Sequence, residues 1–134
     1  MYKINYEARQ KLKEDIYRCY PYCALSGIRT SQLEMHEWLV KRSALPIKRI
    51  QDKIFSPYNC ILLTHAQHNR TDSNRRDWEC AKWAIQTYSF KTIEDWLTSI
   101  QLRTFGSFEQ WLANIEYKLN IPPGESLIGN NNRF

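Results

Sequence analysis

The sequence predicts a small α+β protein: a compact strand–strand–helix core followed by a mainly helical C-terminal half. Three observations lead there. The chain has 134 residues, 43% of them hydrophobic and 13% aromatic, enough apolar material for the core of one ordinary domain. Two apolar runs of strand character, Leu33–Val40 and Tyr58–Leu63, lie in the first half. The second half repeats its apolar residues at helical spacing instead.

Taken in order, Ala8, Leu12 and Ile16 recur at near-helical intervals and predict an N-terminal helix over residues 6–17. Cys19-Tyr20-Pro21-Tyr22-Cys23 ends it, because proline lacks a donor and restricts the residue before it. Ser26-Gly27 reads as a turn. After the first strand, residues 41–57 are polar and basic and are punctuated by Pro46 and Pro57, so a loop with at most one helical turn is expected. The second strand runs straight into Thr64-His65-Ala66-Gln67, where Thr with Gln three residues on is a capping box that starts a short helix. Further helices are expected over 77–89, over 92–102 and, from a second capping box at Ser107/Gln110, through Leu119. Their tryptophans stand at core spacing, which favours packing over base stacking. Pro122-Pro123-Gly124 stops the last helix, and residues 121–134 read as a loose tail.

Charge narrows the function. Lys+Arg total 19 and Asp+Glu 14, a net +5. From His36 to Arg76 there are eight bases and three acids, so this segment carries 8 − 3 = +5 while the remainder sums to zero. A localised basic segment is the electrostatic footprint of a nucleic-acid binder. No apolar run approaches the roughly 20 residues of a membrane span, and the N-terminal residues lack the apolar stretch of a secretory signal. A cytoplasmic protein without membrane association is expected, and four cysteines there read as thiols or metal ligands, not disulfides.

Within the basic segment, His65, His68 and Asp72 fall at i, i+3 and i+7, one face of the helix predicted from Thr64. His68 and Asp72, four apart, match the spacing at which two ligands on one helix grip one metal. The chain has only three histidines, and the third, His36, lies in the first strand run. This mixed imidazole and carboxylate set suits Mg²⁺, Mn²⁺, Ni²⁺ or Zn²⁺ without choosing among them.

Three segments together carry a family likeness: Cys23-Ala-Leu-Ser-Gly27, Leu33-Glu-Met-His-Glu-Trp-Leu39 and Asn59-Cys-Ile-Leu-Leu-Thr-His-Ala-Gln-His68. They resemble the HNH, or ββα-metal, endonucleases common in bacteriophages and in colicin-type DNases. The likeness covers residues 19–76, leaving 77–120 as a helical extension of a single domain over 1–134. In that pattern an Asn opens the second strand and a His follows nine residues later on the helix, as Asn59 and His68 do. A further ligand often lies four residues on, at the position of Asp72. The hydrophobic register around Met35-His36-Glu37-Trp38-Leu39 makes His36 the metal ligand and puts Glu37 at the base position. The alternative register makes His36 the general base but sets Met35 at a ligand position. Both residues belong to the expected site. Relatives often hold a structural zinc on two Cys pairs; here those positions are Cys23, Ser26, Thr64 and Gln67, so structural zinc is not expected.

The resemblance implies a DNA endonuclease working with one divalent metal on His68 and His36, with Asp72 and His65 as further candidate ligands. Asn59 is expected to act indirectly, through an amide that braces the loop carrying His36. Lys41, Arg42, Lys48, Arg49, Arg70, Arg75 and Arg76 are the expected DNA-contacting bases, binding through phosphates. The competing reading is a DNA-binding module on the same fold with weak or no catalysis; a scaffold using all four Cys for zinc ranks third. A phage setting, with a homodimer or a phage protein as partner, is compatible with the helical extension.

Overall fold

The computed structural model describes residues 6–42, 52–102 and 105–129. The architecture is α+β: five helices and a two-stranded antiparallel sheet among the described residues. In order these are α1 (Tyr6–Cys19), β1 (Glu34–Glu37), β2 (Cys60–Leu63), α2 (His65–His68), α3 (Ser73–Tyr88), α4 (Phe90–Ser99) and α5 (Phe108–Leu119), with a 3₁₀ turn at Pro123–Glu125. The chain divides into two compact units, Met1–Thr71 and Asp72–Phe134. Where the sequence suggested one domain with a core reaching Arg76, the division comes at Thr71 and Asp72, because α3 starts at Ser73.

In the first unit β1 pairs with β2 in the register Glu34↔Leu63, Met35↔Leu62, His36↔Ile61 and Glu37↔Cys60. All four residues of β2 are buried, so it reads as a continuous apolar run and not as an alternating one. Helix α1 packs on β2 and buries Ile16, and the short α2 lies against both strands. Around them Leu33, Trp38, Leu39, Val40 and Ile54 complete the core. The turn after α1 joins the end of the sheet: Cys23 N–H donates to the Ile28 carbonyl (2.9 Å) and Ala24 N–H to the Leu62 carbonyl (2.9 Å). Gly27 closes that turn at φ +76°, a conformation in which a side chain would be strained.

The second unit is a set of three helices. Ser89 ends α3 and caps α4 at once; at φ 88° it turns the chain sharply, and its Oγ accepts from Thr92 N–H. The capping box at Ser107 and Gln110 forms in full and starts α5. Phe90 and Phe108 pack with ring centroids 4.8 Å apart, and Ala81, Ala84, Ile93 and Leu112 are buried in the same unit. Trp78 is buried, as its spacing predicted, whereas Trp83, Trp96 and Trp111 are only half-buried.

Several boundaries differ from the sequence reading: β1 is only Glu34–Glu37 within the expected 33–40, and α4 runs Phe90–Ser99 where 92–102 was expected. Helix α3 begins at Ser73, four residues before the start expected from its apolar period, because Ser73 and Asn74 occupy its first turn and do not break it. The tail is not loose as far as residue 129. The buried Glu116 carboxylate accepts Trp78 Nε1–H (3.0 Å), Ser126 Oγ–H (2.6 Å) and Leu127 N–H (2.7 Å), and Leu127 is itself buried. No described helix is long and apolar enough to cross a membrane.

Candidate active site

The site lies in the first unit. β1 ends on His36 and Glu37, and the chain then turns into the segment that holds Lys41 and Arg42. That turn hangs on one side chain. Asn59, fully buried just before β2, accepts Val40 N–H (2.7 Å) and Leu39 N–H (3.3 Å) on Oδ1. Its Nδ2 donates to the carbonyls of Val40 (3.0 Å) and Ile54 (3.1 Å). An amide is the right group here, since it offers a donor and an acceptor to a backbone that needs both.

His36 is 5% exposed and meets His68, from α2, edge to face with ring centroids 5.0 Å apart. Thr64 starts α2 as the capping box predicted, its side chain accepting Gln67 N–H. Glu34 lies two residues before His36, on the same face of β1 by strand alternation. Its carboxylate accepts His68 Nδ1–H at 2.6 Å and His65 Nδ1–H at 2.7 Å. A carboxylate only accepts, so both imidazoles must carry a proton on Nδ1, which leaves His68 Nε2 its lone pair when the ring is neutral. Those hydrogen bonds, His68 first and His65 second, hold the Glu34 carboxyl below the ordinary carboxylate range. His65 stands on the solvent side of Glu34, 78% exposed, with Asn69 Nδ2 2.8 Å from its Nε2.

Glu37 faces inward from the strand end with its side chain 13% exposed; Oε2 lies 3.4 Å from Arg42 Nε, outside hydrogen-bond alignment. Lys41 Nζ donates to the Glu37 carbonyl at 2.6 Å and stands 3.5 Å from His36 Nε2. These groups line one open cleft of about 530 Å³, formed by Arg9, Met35, His36, Glu37, Lys41, Arg42 and His68. Its charge is three cations against one carboxylate, with two imidazoles between them.

The ring spacing of His36 and His68 is compatible with a shared divalent ion. A ligand nitrogen lies about 2.1 Å from such an ion, so two imidazole centroids sharing one ion at coordination angles of about 90–110° stand roughly 4.5–5.2 Å apart. His36 and His68, at 5.0 Å, fall in that range. The hydrogen bond from His68 to Glu34 is of the kind that orients an imidazole where it ligates a metal.

The single helix expected to carry both His68 and Asp72 is two elements instead. Helix α2 ends at His68, Asn69 caps it, and Asp72 opens α3 at the start of the second unit. The reason is local: Asn69 and Thr71 favour turns over helix interiors, and the restart at Ser73 leaves α2 a single turn. Of the expected DNA-contacting bases, Lys41 and Arg42 line the cleft, and Lys48 and Arg49 lie outside the described residues. Arg70 donates to Gln67 Oε1 at 3.0 Å. Arg75 lies over the Trp78 ring at 4.8 Å and pairs with Glu79, while Arg76 is tied to Asp77 at 3.1 Å with only 11% of its side chain exposed.

Cys23, Ser26, Thr64 and Gln67 form a hydrogen-bonded knuckle. Cys23 Sγ lies 3.8 Å from Thr64 Oγ1 and accepts Ser26 N–H at 3.4 Å, and Gln67 N–H donates to Thr64 Oγ1. Burial works to raise the Cys23 pKa, but hydrogen bonds at Ser26, Thr64 and Leu25 outweigh it and leave the thiol below its ordinary value. Cys60, buried in β2, is pushed up to about 12, chiefly by burial. Cys19, Cys23, Cys60 and Cys80 form no disulfide, and of these only Cys19 is exposed.

Sequence reasoning missed Glu34 and Arg9. Strand alternation with His36 marks Glu34, and Arg9 interrupts the apolar stripe of α1 that continues through Leu12 and Ile16. Compared with family models, with curated proteins and with solved structures, the chain finds no match.

Proposed function

We propose that this chain is a metal-dependent DNA endonuclease of HNH type, hydrolysing phosphodiester bonds. The observation that carries the reading is the His36–His68 pair: two imidazoles from separate elements, spaced as co-ligands and set in a cationic cleft. His36 and His68 would hold one divalent ion, which supplies neutralisation of charge on the phosphoryl and leaving oxygens. Glu34 keeps His68 in the Nδ1–H tautomer, in which Nε2 carries the lone pair a metal would take. Glu37 takes the proton from the attacking water, a carboxylate held in the cleft beside Arg42. Lys41 and Arg42 receive the phosphate backbone, which gives affinity without sequence information. Asn59 touches no substrate; it fixes the turn on which Lys41 and Arg42 follow His36 and Glu37.

The test is supercoiled-plasmid cleavage in EDTA and then in Mg²⁺, Mn²⁺, Ni²⁺ and Zn²⁺ separately. Metal-dependent nicking or linearisation is expected, abolished in His68→Ala and in His36→Ala. Glu37→Gln should lose cleavage while still binding metal, whereas loss of metal binding there would exchange the roles of the two residues. No cleavage with any metal by a folded protein that binds DNA would replace this reading with the binding module.

A further inference from the structure

The cleft contains one cation that neither sequence pattern nor family likeness singles out. Arg9 sits on α1, on the stripe that also carries Leu12 and the buried Ile16, a place where an apolar residue would ordinarily stand. Its Nε is buried and has no hydrogen-bond partner among the described residues. A buried donor left unpaired is destabilising, so proteins rarely keep one without a use. The guanidinium reaches the same cleft as His36, Glu37, Lys41, Arg42 and His68. Burial dominates the Cys60 thiol, but Arg9 and Arg42 both favour its anion and Glu37 opposes it, which gathers these three charges around the start of β2. Arg42 already has Glu37 at 3.4 Å. A guanidinium lining the cleft beside that pair matches the planar, two-oxygen face of a phosphate.

From this we infer that Arg9 grips a phosphodiester of the bound strand, so that α1 forms one wall of the substrate site. The inference rests on the endonuclease reading for its substrate class, but its test does not need cleavage. Binding of a short labelled DNA duplex is measured in EDTA across a salt series for the wild type, Arg9→Gln, Arg9→Lys and Arg18→Gln. Arg18 lies on the same helix, 75% exposed and paired with Asp15, and controls for loss of charge alone. Arg9→Gln should bind about tenfold more weakly at fixed salt. Its slope of log affinity against log salt should fall by about 0.9, the loss of one phosphate contact. Arg9→Lys should keep the slope and recover only part of the affinity, and Arg18→Gln should match the wild type. In metal-dependent cleavage the Arg9→Gln loss should appear chiefly in KM.

A lowered melting temperature in Arg9→Gln with an unchanged salt slope would overturn the inference and make Arg9 structural. Equal effects at Arg9 and Arg18, or a wild type that does not bind the duplex, would overturn it too. A wild type that binds with the Arg9-dependent slope yet cleaves with no metal would remove the endonuclease reading and leave the phosphate grip standing. Cleavage with no change at Arg9 would do the reverse.

Discussion

Asn59 gives the sharpest test of how this site is built. Asn59→Ala removes an amide that bonds Leu39 N–H, Val40 N–H, the Val40 carbonyl and the Ile54 carbonyl. The Ile54 carbonyl keeps Ser56 N–H as a donor at 3.0 Å, so it stays satisfied. The other three groups belong to buried residues and lose a partner. At about 1–3 kcal/mol for each buried group left unpaired, and with partial relaxation of the turn, the expected cost is about 3–5 kcal/mol. Urea unfolding followed by tryptophan fluorescence reads this as a lower midpoint with an unchanged slope.

Asn59→Asp is the finer probe. It keeps the acceptor for Leu39 and Val40 but turns a carboxylate oxygen on two carbonyls, so its folded pKa lies above the unfolded value of about 3.9. The carboxyl is then tolerated best when protonated: the variant's deficit shrinks as pH falls toward the unfolded value and grows as pH rises through the folded one. A cost under about 1 kcal/mol for Asn59→Ala, with cleavage abolished in the folded variant, would refute the bracing argument and put the amide on substrate.

Four further outcomes are expected. Glu34→Gln should weaken metal binding about 10–100-fold by calorimetry, since the oriented imidazole loses its carboxylate; unchanged affinity would remove Glu34 from the site. Because hydrogen bonds from His68 and His65 hold the Glu34 carboxyl low, its contribution is present above the unfolded pKa and lost as pH falls through the folded one. Glu34→Gln should therefore flatten the acid limb of a stability–pH curve, and an unchanged limb would show that the bonds do not persist in solution. Cys60, raised from 9.0 to about 12, gives stability that is present below pH 9 and lost as pH rises toward 12, at most about 4 kcal/mol by linkage; Cys60→Ala should remove that alkaline loss, and an identical alkaline limb would refute it. Finally, Ser26→Cys, Thr64→Cys and Gln67→Cys together should create a zinc site with Cys23. Sulfurs about 2.3 Å from one zinc stand roughly 3.8 Å apart, the separation already found between Cys23 Sγ and Thr64 Oγ1. One tightly held zinc per chain and a raised melting temperature are expected; no zinc retained on dialysis would show that the knuckle has diverged from that geometry.

Much of the fold was legible in the sequence because it is written in local chemistry. The capping oxygens of Thr64 and Ser107, the apolar run at β2 and the 3.6-residue period of α4 and α5 act within a few residues of where they are read. The start of α3 was not, since its first turn, Ser73-Asn74-Arg75-Arg76, has no apolar face to show a period. Nor was the docking of residues 126 and 127, which depends on one buried carboxylate a full ten residues earlier.

For the candidate site, sequence by itself determined the residue types and the Asn59–His68 interval. Tertiary structure alone decided which of them meet. His36 and His68 lie far apart along the chain, and their ring centroids come to 5.0 Å only because β1 pairs with β2 and α2 folds back on both. Asp72, four positions from His68, falls off the helix that would have aligned them, because α2 stops after one turn. Glu34 and Arg9 enter for the same reason: a hydrogen bond or a shared cleft joins residues by distance in space, and no pattern along the chain records that distance.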